Sequence, residues 1–166
     1  MLAWFGLDDE APGAADRMIA ALAADLGAAG WRLAGAVQRN LDRGAGCACE
    51  MELEVLGCDG PPVRISQSLG SGSSGCRLDS GALELAAGRV AARLEGAQLL
   101  ILPKFGRQEA AGAGFRQVIG AALLAGVPTV LHVPRQQRAA FAGFAGDLAQ
   151  RLAPGDLRHW CAGLRP

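Results

Sequence analysis

Residues 97–102 read Ala-Gln-Leu-Leu-Ile-Leu, and the last four of them are all large and apolar. A strand with one wet face alternates apolar and polar residues, whereas a strand covered on both faces is apolar throughout. The stretch therefore predicts a strand inside a parallel sheet, with helices on both sides. Residues 103–109, Pro-Lys-Phe-Gly-Arg-Gln-Glu, follow at once, so polar and charged groups stand at the end of this strand.

The rest of the chain alternates between strand-like and helix-like periods around this stretch. Strands are predicted over 2–7, 32–38 and 128–133, and helices over 14–29, 80–95, 113–125 and 136–152. Residues 50–56 and 63–67 flank a Gly-Pro-Pro turn and predict an antiparallel hairpin. The expected fold class is α/β, a mainly parallel sheet between helix layers of the P-loop or Rossmann kind with an inserted hairpin near 50–67. One domain is expected over 1–166.

Composition argues against several classes of partner. The 16 basic and 16 acidic residues cancel, so electrostatics favour neither nucleic acid nor a membrane surface. The amino terminus turns acidic within ten residues, which is not typical of a secretory signal. No apolar run approaches the roughly 20 residues that a membrane span needs. We therefore expect a cytoplasmic protein with reduced thiols, and a homo-oligomer is compatible with the sequence.

A run rich in Gly and Ser, between residues 65 and 79, is the first candidate site. Glycines let backbone N–H groups turn toward a ligand, serines add hydroxyl donors, and arginine adds a fixed positive fork. The pattern predicts a cradle for an anion, ahead of a helix for which Asp79 is the expected N-cap. The ligand-binding candidates in this run are Ser66, Gln67, Gly70, Ser71, Gly72, Ser73, Ser74, Gly75 and Arg77.

The second candidate site is the edge where the parallel strands end, because ligands of open α/β sheets bind beyond the carboxyl ends of the strands. Further ligand-binding candidates at this edge are Gln38, Arg39, Lys104, Gly106 and Arg107. Glu109 follows them, either as a general base or as a structural partner of a neighbouring arginine. The loop after the first strand has no G-x-x-x-x-G-K-[ST] motif, so ATP binding in the ordinary mode is not expected.

The cysteines do not predict a metal site. Zinc sites usually contain C-x2-4-C pairs, whereas Cys47 and Cys49 are separated by one residue. Neither His132 nor His159 is near Cys47, Cys49, Cys58 or Cys76 in sequence. A role of Cys76 as a nucleophile stays open, because the neighbouring Arg77 favours the thiolate, but no His or Asp partner is evident. The sequence leaves undecided the roles of Cys47, Cys49, Cys58 and Cys76.

Several blocks resemble the pattern of a bacterial domain family of unknown function, often encoded beside genes for molybdate uptake or molybdenum enzymes. The blocks are residues 33–38, 65–67, 75–79, 104–109 and 114–116. More distantly, the layout is similar to small P-loop nucleoside-triphosphatases with a hairpin after the second strand. Pro103 and Lys104 stand where those enzymes have two acids, while Gly106, Arg107 and Glu109 match their Gly, Lys and Glu.

The resemblance implies an inherited fold without the hydrolytic machinery. Our leading hypothesis is a cytosolic accessory protein that binds a small anion or nucleotide, with molybdate or a phosphate-type oxyanion as the implied ligand. A divergent nucleoside-triphosphate phosphohydrolase with Glu109 as base, and a non-catalytic interaction module, stay open as alternatives. No cofactor is firmly predicted, and the sequence does not decide whether the protein is an enzyme.

Overall fold

The computed structural model describes residues 1–8, 11–41, 50–67 and 77–164, except for the side chain of Arg77. Within these ranges the chain forms an α/β fold. The strands are β1 Leu2–Phe5, β2 Leu33–Leu41, β3 Glu50–Val55, β4 Val63–Arg64, β5 Ser66–Gln67, β6 Arg77–Leu78, β7 Leu99–Leu102, β8 Thr129–His132 and β9 Ala149–Arg151. The helices are α1 Ala14–Ala28, α2 Ser80–Ala91, α3 Arg107–Ala110, α4 Arg116–Leu124, α5 Arg138–Ala145 and α6 Leu157–Ala162.

Seven of these strands form one sheet, in the order β4-β3-β2-β7-β8-β1-β9. The five neighbouring strands β2, β7, β8, β1 and β9 run parallel to one another. Strands β3 and β4 extend the sheet beyond β2 with antiparallel pairing. This confirms the predicted α/β class and its inserted antiparallel hairpin. The short strands β5 and β6 pair separately, so they bring the start and end of the Gly- and Ser-rich run together.

Helices cover both faces of the sheet, which explains the apolar run that predicted it. Leu99 and Ile101 pack with α1 and α6 on one face, and Leu100 and Leu102 pack with α2, α4 and α5 on the other. All four side chains are fully buried. Burial of one such side chain stabilises the fold by about 1.5–3 kcal/mol, so β7 contributes strongly to both helix layers.

The helix predicted over 136–152 is wrong in its second half. Helix α5 ends at Ala145, and Gly146 leaves it with a φ of 50°, a value that favours glycine. Residues 149–151 then form β9, which pairs with β1 at the edge of the sheet. The helical spacing of apolar residues was misleading here, because Leu148 is 70% exposed while Leu152 packs on the α1 side.

The connections between the strands place a ligand crevice at one point of the sheet. From β1 the chain crosses through α1 to β2 on one side, and from β8 it crosses through α5 to β9 on the other side. Neighbouring strands with opposite connections open a crevice beyond their carboxyl ends. In this sheet the switch point lies between β1 and β8, with β7 next to it. Among the described residues, no helix is both long and apolar enough to cross a membrane.

Candidate functional site

Lys104 is the best placed of the predicted site residues. It is the second residue after β7 and is flanked by Pro103 and Phe105, which are both buried. The Phe105 N–H donates to the His132 carbonyl at 2.8 Å, and its ring lies 5.1 Å from the ring of Phe141. These contacts hold the backbone just after Lys104, and the buried Pro103 precedes it, so the partly buried lysine is presented from a well-packed segment.

Two cavities meet at Lys104. The apolar cavity, of about 160 Å³, lies between β3, α2 and α3, and the switch-point cavity, of about 180 Å³, lies beside the start of α1. The apolar cavity is lined by Gln38, Met51, Leu53, Ile65, Leu78, Leu83, Pro103, Lys104, Gly106, Arg107, Gln108, Glu109 and Phe115. The switch-point cavity is lined by residues 11–16, Lys104, His132 and Pro134. The lysine forms no hydrogen bond or ion pair with any described residue.

A chain of amide groups joins the start of α1 to the end of β2. Asn40 Nδ2 donates to Asp16 Oδ2 at 2.7 Å, and Gln38 Nε2 donates to Asn40 Oδ1 at 2.8 Å. A carboxylate only accepts hydrogen bonds, so Asp16 must face the NH2 group of Asn40. The oxygen of Asn40 then faces the NH2 group of Gln38, and both amide orientations are fixed. Gln38 is 5% exposed and lines the apolar cavity, and its Oε1 accepts from no described donor.

Glu109 is a buried carboxylate that holds backbone rather than a charged side chain. Its Oε2 accepts the Gly106 N–H at 2.8 Å, and its Oε1 accepts the Phe115 N–H at 3.0 Å. In the first bond the third residue of α3 accepts the N–H of the N-cap Gly106, which is the Glu half of a capping box, since glycine has no side chain to complete it. Arg116 donates to the Glu109 carbonyl, not to the carboxylate. This geometry favours a structural role and ties the segment after β7 to the start of α4.

The structure does not bring Arg39 to the other ligand-binding candidates predicted at this edge. Arg39 is exposed and forms an ion pair with Glu54 on the neighbouring strand β3. Successive residues of a strand point to opposite faces, so Arg39 points away from Gln38. Arg107 is exposed at the first turn of α3 and, with Gly106, lines the apolar cavity. Among the described side chains, the basic candidates that the structure brings together at this edge are therefore Lys104 and Arg107.

The flanks of the Gly- and Ser-rich run are ordered by side-chain hydrogen bonds. Ser66 is buried, and its hydroxyl accepts the Met51 N–H at 3.0 Å. Asp79 caps α2 as predicted, accepting the Ala82 N–H at 3.0 Å. This bond lowers the pKa of Asp79, and further hydrogen bonds from the Gln67 side chain and the Gly81 backbone act in the same direction. Burial raises the pKa, but by less than the bond from Ala82 lowers it. The candidates Gly70, Ser71, Gly72, Ser73, Ser74 and Gly75, and the side chain of Arg77, lie outside the described residues.

Arg138 is a contributor to the site edge that sequence reasoning missed. Its guanidinium donates to the Leu7 carbonyl at 3.0 Å and pairs with Asp8 at 3.3 Å. A Cβ on Gly6 would come within 2.5 Å of Arg138 Nη2, so a larger residue there would displace the guanidinium from this position. These contacts hold the segment after β1 against α5. They join residues 130 or more positions apart, and no local pattern predicts them.

The cysteines within the described ranges are free thiols. Burial raises the pKa of Cys161 to about 11, which makes its thiol unreactive near neutral pH. Cys58 is partly exposed, and Cys47, Cys49 and Cys76 lie outside the described residues. Within the described part of the chain, no three His, Cys, Asp or Glu side chains are grouped as metal ligands.

Fold and site together define an α/β protein with a candidate anion site at the switch point of its parallel sheet. The chain belongs to the family described as "Protein of unknown function (DUF2478)", whose profile matches residues 6–160. It is also 38% identical, over 138 residues, to a Bradyrhizobium diazoefficiens protein named molybdenum import ATP-binding protein ModC 2. The aligned region covers 82% of this chain but 15% of that protein. No solved structure matches the chain.

Proposed function

We propose that this protein binds a small anion, either an oxyanion of the molybdate or phosphate type or the anionic group of a nucleotide. Lys104 is the observation that carries the proposal. It is a partly buried cation at the switch point, it lines two cavities, and it forms no ion pair with any described residue. A cation held partly out of water without a counter-ion gains most from an anionic ligand.

Among the described residues that line the switch-point cavity, Lys104 is the one lysine or arginine. The start of α1 lines this cavity, and the amino end of a helix favours anions. Asp16 lies in the same first turn and opposes that effect with its own negative charge. We therefore expect an anion to depend on the lysine rather than on the helix alone.

We further propose that the protein acts as a cytoplasmic accessory protein in molybdenum handling. The support is the likeness to a protein whose name contains molybdenum import and ATP binding. The match spans 15% of that protein, so the import and ATP binding in its name are not carried over to this chain. What the likeness supports for this chain is the metal's biological context and an anionic ligand.

The test is calorimetric titration of the protein with molybdate, tungstate, phosphate, sulfate and nucleotides. At least one should bind, and Lys104→Met should weaken that binding tenfold or more, because a charge-assisted hydrogen bond contributes about 1.5–3 kcal/mol. Arg39→Met is the matched control, since it removes one positive charge from the same edge but lines neither cavity. No binding by a folded protein, or equal loss in both variants, would overturn the proposal.

The phosphohydrolase alternative has less support from the geometry. Both oxygens of Glu109 accept backbone N–H groups, so a role as base would compete with these bonds. It still makes a clear prediction, which is magnesium-dependent phosphate release that Glu109→Gln removes. The interaction-module alternative predicts that none of these anions binds.

A further inference from the structure

We propose that the apolar cavity takes a single planar ring bearing an N–H donor. The ligand is then an organic anion whose ring enters this cavity while its charged group lies against Lys104. This inference rests on the proposed function, because it keeps Lys104 as the anion site. It adds a second subsite and so separates a ring-bearing anion from a bare oxyanion.

The size of the apolar cavity sets the size of the group. Pockets for drug-sized ligands measure about 300–1,000 Å³, whereas an engineered cavity of about 150 Å³ in another protein holds one benzene ring. At about 160 Å³ the apolar cavity matches a single six-membered ring. The rest of a larger ligand must lie outside it, and Lys104 stands where the two cavities meet.

The walls of the cavity favour a ring over an inorganic ion. Leu53, Leu83 and Phe115 are buried members of the hydrophobic cluster on this face, and Met51 packs against the same cluster. The free energy needed to move an oxyanion from water into such surroundings is far larger than the stabilisation by the few polar groups at the rim. An apolar ring gains from the same walls by leaving water.

Gln38 specifies the polar atom of the ring. The carboxylate of Asp16 orients the amide of Asn40, and Asn40 Oδ1 in turn accepts a hydrogen bond from Gln38 Nε2. The amide nitrogen of Gln38 is thereby committed, so the group that this lining residue has left for a ligand is its carbonyl oxygen. A carbonyl oxygen accepts hydrogen bonds only, so the ring edge that meets it must carry an N–H.

The experiment compares cytidine monophosphate with ribose 5-phosphate, which carries the same phosphate and sugar without a ring base. The first should bind at least tenfold more tightly. Met51→Trp, which fills the cavity from its wall, should abolish that difference, while Leu85→Trp on the exposed side of α2 should leave it unchanged. Far-UV circular dichroism and urea unfolding establish that each variant is folded.

A second variant keeps the test decisive if Met51→Trp does not fold. Gln38→Met keeps the length of the side chain but removes its acceptor, and it should weaken cytidine monophosphate about five- to tenfold with ribose 5-phosphate unchanged. Equal affinity for the two probes in the wild type, with a clear loss in Lys104→Met, would overturn the ring subsite and retain the anion site. Failure of both probes and of molybdate to bind would overturn both.

Discussion

The carboxylate of Glu109 is expected to stabilise the fold by holding two backbone N–H groups. It is 4% exposed, and its oxygens accept from Gly106 and Phe115. Glu109→Ala leaves both donors without this acceptor. Glu109→Gln keeps one acceptor oxygen and places an NH2 group against the other donor, so it should lose one bond and retain one.

The magnitude follows from the bonds. A hydrogen bond to a charged group contributes about 1.5–3 kcal/mol, so Glu109→Ala should lower the free energy of unfolding by about 4 kcal/mol and Glu109→Gln by about 2 kcal/mol. For a chain of this size each kcal/mol lowers Tm by about 2–4 °C. These losses are large against a total stability of about 5–15 kcal/mol.

Urea unfolding followed by circular dichroism measures the change, with the m-value checked for constancy. Glu95→Gln is the matched control, because Glu95 is exposed and forms no hydrogen bond with any described residue. We expect that control to stay within about 0.5 kcal/mol of wild type. If both Glu109 variants also stay within that range, the structural role is refuted and the catalytic hypothesis gains.

Three further predictions concern the fold around the site. Gly35→Ala should destabilise the protein by more than about 3 kcal/mol in urea unfolding, because a Cβ there would lie 1.8 Å from the carbonyl oxygen of Ile101; a change below 1 kcal/mol would contradict this. The stabilisation by Asp79, whose pKa is lowered on folding, should be present above pH 3.8 and lost as pH falls through the folded pKa. The gap in urea midpoint between wild type and Asp79→Ala should therefore close in acid, and a constant gap would argue against it. Peptide mapping after alkylation at pH 8 should find Cys58 modified and Cys161 protected, and equal labelling would contradict the burial of Cys161.

The strands and helices that depend on local periodicity were predictable from the sequence. The apolar run at Leu99–Leu102 identified a strand covered on both faces, and the alternation at Glu50–Val55 identified the antiparallel piece. Asp79 identified the start of α2, since a capping side chain acts within three residues of itself. Lys104 was placed at the sheet edge because the carboxyl ends of parallel strands share that edge.

The parts that depend on distant contacts were not predictable. Strand β9 has three residues, and its pairing with β1 rather than its own sequence makes it a strand. The Glu54 partner of Arg39 follows from the register between β2 and β3, which the residue types alone do not fix. The contact of Arg138 with the segment after β1 depends on the final position of α5. The longer helix was therefore a wrong prediction, and neither the ion pair of Arg39 nor the contact of Arg138 was foreseen.

The most direct test of the anion site is a crystal of this protein soaked with tungstate, whose heavy atom identifies the ion by its anomalous signal. We expect one ordered tungstate within hydrogen-bond distance of Lys104 Nζ, in the switch-point cavity, and none in Lys104→Met crystals grown the same way. Tungstate bound elsewhere, with the surroundings of Lys104 unchanged, would show that Lys104 is not the anion site.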